Sequence, residues 1–170
     1  FKQLHELQHH RWLNWTPAAM RRSGANAYQL WQPNTVGQKT AAVLRLPQIS
    51  ALAAYPLYRQ VLLDEQIQAL STLPVLPNNR VQELIQTQLN TPGFIALPLY
   101  SQISVLEIQT YLQNVLLRDA DQMSMAHALE VRVPFMDHEL VELVLGIPDE
   151  AKLGLPNKRL LVAAMGNMLP

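Results

Sequence analysis

Residues 114–142 read NVLLRDADQMSMAHALEVRVPFMDHELVE, and this stretch decides how the rest of the chain is understood. It gathers Arg118, Asp119, Asp121, Glu130, Arg132 and Asp137 into a chain in which only 15% of residues are charged. Between the charges lie Leu117, Met123, Met125, Ala126, Ala128 and Leu129, whose apolar or small side chains predict a long, largely buried helix over about 102–129, with a break near Asp119. Charges on a buried helix must be paired or must line a cavity. Val131 to Phe135 is rich in β-branched residues and runs into Pro134, so it is expected to be extended. On extended backbone Glu130 and Arg132 project to the same side. They either pair with each other, as a salt-bridge knot that fixes the turn before Pro134, or flank a ligand. Asp137 is the natural N-cap of a helix through Val144, ended by Gly146 and Pro148.

Working outward, proline and apolar spacing mark further helices. Residues 3–14 place Leu4, Leu7 and Trp12 on one stripe before Pro17. Arg21-Arg22-Ser23-Gly24 reads as a helix end, with cations at the negative end of the dipole and glycine as the cap. The polar stretch 25–35 is expected to be a loop, and Thr35 to cap a helix that runs to Leu46 and closes at Pro47. Pro56 suits the first position of a helix carrying Leu57, Val61, Leu62 and Ile67. Val81, Leu84, Ile85 and Leu89 form a stripe over 78–90, and Asn157 is placed to cap a last helix carrying Leu160, Leu161 and Ala164. No strand–helix alternation is present, so a parallel sheet cannot lie wholly within the segment. The expected class is mostly α.

Composition removes several function classes. Thirteen Lys and Arg balance thirteen Asp and Glu, which leaves no overall electrostatic footprint for nucleic acid or an anionic membrane surface. There is no cysteine, hence no disulfide framework and no thiolate ligand or nucleophile. No apolar run approaches the roughly 20 residues of a membrane helix. Together with the lack of a signal peptide, this leads to an expected cytoplasmic location. Scattered glycines form no phosphate-binding loop, and no nucleophile elbow occurs.

One short motif competes. His5-Glu6-Leu7-Gln8-His9 satisfies H-E-x-x-H, in which His5 and His9 on one helix face could hold zinc with Glu6 as general base. A third ligand is missing at any set spacing, since Arg11 to Trp15 supplies none and the next carboxylates are Asp64 and Glu65. A solvated helix face is the favoured explanation, and no metal ligands are assigned.

The run Met123-Ser124-Met125-Ala126-His127-Ala128-Leu129-Glu130-Val131-Arg132-Val133-Pro134-Phe135-Met136-Asp137-His138 resembles the signature of glutamine-hydrolysing asparagine synthetases. Leu116 to Asp121 before it, and Asn157-Lys158-Arg159-Leu160-Leu161 through Leu169-Pro170 after it, follow the same family's order. The resemblance implies a helical, C-terminal portion (1–170) of an α/β synthetase domain of the ATP-pyrophosphatase (adenine nucleotide alpha hydrolase-like) type. It implies an ATP-dependent ligase that converts aspartate to asparagine through an acyl-adenylate, using ammonia from a glutaminase domain and releasing AMP and pyrophosphate. ATP and Mg²⁺ would serve the parent protein, with none expected bound to this segment alone. Carried over by position, Glu130 and Arg118 take the catalytic assignments. Asp121, Asp119 and Arg132 take substrate-binding ones, Asp119 being ambiguous because some relatives place a basic residue there.

The departures bear on activity. The family's S-G-G-x-D-S pyrophosphate loop and its acidic G-x-D-E-L-F stretch do not occur in the sequence, nor does the glutaminase cysteine. The segment alone is therefore expected to be inactive. Its partners would be the remainder of the synthetase domain and an N-terminal glutaminase domain, with homodimerisation left open and no nucleic acid or membrane involved. The rival reading is a helical interaction domain without catalysis; a zinc peptidase using His5, Glu6 and His9 ranks below it.

Overall fold

In the computed structural model the described residues are 11–71, 80–154 and 158–168, and among them every regular element is helical. The chain divides into two compact units, Phe1–Thr87 and Gln88–Pro170.

In the first unit a 3₁₀ segment (Arg11–Trp15) precedes α1 (Ala18–Trp31), α2 (Thr35–Leu44), α3 (Ala51–Arg59), α4 (Asp64–Leu70) and α5 (Arg80–Leu89). The stripe read over 78–90 is present in α5, with Ile85 buried. The expected helix at 3–14 falls mostly, and the H-E-x-x-H motif wholly, outside the described residues. Side-chain caps start two of these helices: Asn34 Oδ1 accepts from Gly37 N at 2.8 Å, and Ser50 Oγ accepts from Ala53 N at 3.1 Å. Asn34, not Thr35, is thus the cap of α2. Gly37 is required there, because a Cβ at that position would lie 1.8 Å from the Gln32 carbonyl oxygen. The core is built from small residues, with Ala25, Ala41 and Ala54 at 0% exposure around Tyr55, Ile49 and Val43. Alanines let helix axes approach closely.

Three expectations fail in this unit. Arg21 to Gly24 do not end a helix, since α1 runs through them and on through most of the supposed loop. The polar residues of 25–31 are the solvated face of an amphipathic helix whose inner face carries Arg21 and Ala25, four residues apart. Pro56 is inside α3 rather than at its start. Burial of Ala51, Ala54 and Tyr55 at helical spacing, with the Ser50 cap, moves the start back by a turn, although Pro56 forfeits one backbone bond.

Overall neutrality also conceals segregation. Residues 7–63 hold six Arg and Lys and no Asp or Glu, and all but one of the acids follow them. Arg21, Lys39 and Arg45 accordingly find neutral oxygens. The buried Arg21 donates to Pro47 O at 3.0 Å and Asn14 Oδ1 at 3.3 Å. Asn14 in turn clamps the backbone of Ile49, accepting from its N at 2.7 Å and donating to its O at 2.9 Å.

In the second unit a single turn, α6 (Pro92–Ile95), leads to α7 (Leu99–Glu107). The helix continues without a break through a π-helical stretch (Ile108–Leu117) into α8 (Arg118–Met125). Then come a 3₁₀ turn (Pro134–Met136), α9 (His138–Gly146), α10 (Asp149–Lys152), α11 (Arg159–Met165) and a last 3₁₀ turn (Gly166–Met168). Asn157 lies outside the described residues. The expected break near Asp119 is absent; the irregularity lies just upstream, as widened winding. Asn114 Nδ2 supports that winding by donating to Gln109 O at 3.0 Å and Thr110 O at 2.9 Å.

The core of this unit is small: Phe94, Ile103 and Leu106, joined by the polar Ser101 and Asp149. Asp149 Oδ2 accepts from Tyr100 N at 2.9 Å and Oδ1 from Ser101 Oγ at 2.8 Å, so it caps the first turn of α7 from a distance of 49 residues in sequence. Lys152 Nζ donates to Ser101 Oγ at 2.9 Å and lies 3.7 Å from Asp149 Oδ1. Although serine, lysine and aspartate meet here, Ser101 is 1% exposed, which denies it a substrate; the network is an anchor.

Burial, and secondarily the Asp149 carboxylate, hold the Tyr100 hydroxyl above its ordinary range. The raised folded-state value favours the protonated form. Its contribution to stability is present below pH of about 10 and is lost as pH rises through the folded value. Difference absorbance titration against Tyr100→Phe is expected to show phenolate formation above the ordinary range, and Asp149→Asn to lower it. An unaltered titration in Asp149→Asn would remove the carboxylate as a cause.

Candidate functional site

All the site residues assigned from the family resemblance fall in the second unit. Arg118, Asp119 and Asp121 share α8, which begins where the π-helical stretch ends. Such stretches change the register of the face that follows, and they recur at functional sites. The side chains of Arg118, Asp119 and Asp121 are exposed and make no ion pair or hydrogen bond among the described residues.

At the C-terminal end of α8 the chain turns through a Schellman motif. Leu129 N donates to Ser124 O and Ala128 N to Met125 O, each at 3.0 Å, with Ala128 in the left-handed region at φ 55°. This turn ends the helix that was expected to reach residue 129, and it puts Glu130 on an irregular link, 129–133. The signal was hard to see because the motif's customary glycine is an alanine here. Ala128→Gly is expected to be neutral or slightly stabilising, whereas the β-branched Ala128→Val costs about 1–2 kcal/mol. Urea denaturation of the two variants checks the order.

Beyond the turn, Glu130 and Arg132 do pair. Arg132 Nη2 lies 3.0 Å and Nε 3.1 Å from Glu130 Oε1. The Glu130 and Arg132 side chains are 72% and 86% exposed respectively. An ion pair that wet contributes at most about 1 kcal/mol. Within this chain the pair is thus a weak version of the structural knot that the sequence left open. Asp137 caps α9 as expected, accepting from Glu139 N at 3.0 Å and Leu140 N at 3.3 Å.

The expected burial of this region does not occur among the described residues. No described residue between Leu106 and Asp149 is buried, and Met123, Leu129, Phe135 and Leu143 are each more than half exposed. The apolar pattern is real, but nothing described in this unit covers it. Arg118, Asp121 and Glu130 consequently sit beside an open apolar surface rather than inside a cavity. Among the described residues no group of three or more His, Asp or Glu is placed to hold a metal ion. Nor is any helix among them long and apolar enough to cross a membrane.

Comparison with known proteins places the chain in a family. The asparagine synthase family model matches residues 4–170. The chain belongs to that family. Asparagine synthetase [glutamine-hydrolyzing] 3 of Bacillus subtilis (strain 168) is 44% identical over 70 residues, covering 41% of this chain and 11% of the relative. Asparagine synthetase [glutamine-hydrolyzing] 1 of the same organism is 38% identical over 52 residues, 31% of this chain and 8% of the relative. The matched segments thus span about a tenth of these relatives. No solved structure matches. None of these relatives is a peptidase, which leaves the H-E-x-x-H motif without support.

Proposed function

We propose that this chain is part of the synthetase domain of an ATP-dependent amidotransferase. That enzyme makes asparagine from aspartate and glutamine-derived ammonia by way of an acyl-adenylate, with release of AMP and pyrophosphate. The observation that carries the proposal is the family match over 4–170, with which the run in 114–142 is in keeping. The α/β pyrophosphatase fold of the whole domain, a glutaminase partner domain and a cytoplasmic location belong to the same proposal. The exposed apolar side chains of 115–144 support it, since a face of that character suits packing against the rest of such a domain.

Within this reading Arg118 presents an unpaired guanidinium fork, whose geometry suits a phosphate or carboxylate. Glu130 keeps its Oε2 free of Arg132, and so can orient an amine or a hydroxyl. Asp121, one helical turn from Arg118, and Asp119 take substrate-binding roles from α8, and Arg132 takes one from the link that follows. The described carboxylates do not converge on a magnesium site, and no step is assigned to a metal held by them.

The test uses the full-length protein and follows pyrophosphate release. Release that needs ATP, aspartate and either glutamine or ammonium, with asparagine as product, supports the proposal. Release with a different carboxylic acid and not with aspartate overturns the substrate assignment. No release with any carboxylic acid overturns the ligase reading and leaves the non-catalytic helical domain.

A further inference from the structure

The π-helical stretch Ile108–Leu117 has no buried residue, so the core of the second unit does not account for it. Its winding also runs against local preference, because i→i+5 turns are rare and asparagine is a poor residue for a helix interior. Side-chain donors hold it. Asn114 Nδ2 donates to Gln109 O at 3.0 Å and to Thr110 O at 2.9 Å, which commits both hydrogens of the amide to the backbone of the stretch. Thr110 Oγ donates to Leu106 O at 2.6 Å, where the α winding gives out. Side chains bonded back onto helix carbonyls loosen the backbone ladder and bend the helix.

The consequence is rotational. On one side of the stretch α7 is fixed, because Asp149 accepts from Tyr100 N and Ser101 Oγ. On the other side α8 carries Arg118, Asp119 and Asp121. A π turn encloses one residue more than an α turn. Each residue absorbed in this way sets the face of α8 back relative to α7 by about 100°, the angle between neighbours in an α-helix. Relaxation to α winding would keep Arg118 and Asp121 one turn apart and point both elsewhere.

We propose, on the synthetase reading of those two residues, that Asn114 is a positioning residue for the reaction. By holding the π winding it sets the direction in which Arg118 and Asp121 meet the substrates, and it touches no substrate itself. Asn114 is exposed, so replacing it opens no cavity. Its effect reaches the site through the winding alone.

Asn114→Leu is the test variant, since leucine is close to asparagine in shape, cannot donate and is the better helix former. Asn114→Ala, which cannot donate either, is the second variant and decides the matter if the first misfolds. Nuclear Overhauser contacts in the 170-residue chain report the winding. Contacts between residues i and i+5 across 108–117 are expected in the unaltered chain and should give way to i,i+4 contacts in both variants. Pyrophosphate release by the full-length protein is expected to fall about a hundredfold, the scale of a misplacement of about 1 Å at a reacting centre. The melting temperature should stay the same or rise. A purely structural role predicts otherwise, because a substitution that does not destabilise would then leave release intact. Retention of the i,i+5 contacts in both variants, unchanged release in a variant that has lost them, or a fall in release that tracks a fall in melting temperature overturns the positioning role. An unaltered protein that releases no pyrophosphate is a different failure: it removes the synthetase reading, and with it the site that Asn114 would position.

Discussion

Asp149→Ala is expected to destabilise the second unit by about 3–5 kcal/mol, the scale of removing one partner from a buried charged network. Asp149 is 5% exposed and accepts from Tyr100 N and Ser101 Oγ, and Lys152 lies beside it with a side chain 16% exposed. Alanine would leave the first turn of α7 uncapped, the Ser101 hydroxyl without its acceptor and Lys152 without a counter-ion. The apolar core around these residues is only Phe94, Ile103 and Leu106, too small to absorb such a change. Asp149→Asn retains one acceptor and should cost less. Urea denaturation followed by circular dichroism measures both, and local hydrogen exchange at 99–107 shows whether the destabilisation is confined to this unit. A change below about 1 kcal/mol for the alanine variant would mean that the network contributes little beyond its own desolvation cost.

Glu130→Gln in the full-length protein is expected to lower pyrophosphate release by about a hundredfold or more with little change in melting temperature. The two halves of that result follow from different observations. A small effect on stability follows from the exposure of the Glu130–Arg132 pair in this chain, which limits its contribution there to at most about 1 kcal/mol. A large effect on turnover follows from the catalytic role proposed for Glu130. Arg132→Gln separates the alternatives further. If Glu130 matters only as a partner of Arg132, the two variants lose activity together; if it faces the reacting groups, Glu130→Gln loses far more. A fall in melting temperature that tracks the fall in turnover would restore the structural knot.

Much of the helix content was legible, because spacing of apolar residues and capping chemistry act locally. Asp137 as the cap of α9 and the stripe on α5 are local facts, and they hold. Where apolar signals ran short, polar ones misled. Arg21 to Gly24 carry the chemistry of a helix end, yet Arg21 turns inward to oxygens 7 and 26 residues away. Nothing local announces such partners. The same limit hid Ala128, since alanine has no preference for the left-handed conformation that the turn imposes. The absence of any Asp or Glu over 7–63 was visible in the sequence and masked by the overall balance of charge.

By itself the sequence determined the helical class, the family and the identity of the residues around Arg118, Asp121 and Glu130. It could do so because an ordered run of specific side chains is a local record of chemistry, independent of how it packs. Only the tertiary structure decided which of those side chains are covered. The apolar pattern of 114–142 predicted burial, but burial needs a second surface, and among the described residues none reaches it. The same holds for Asp149 and Ser101, which no motif marks and which meet across 48 residues because α7 lacks a cap of its own.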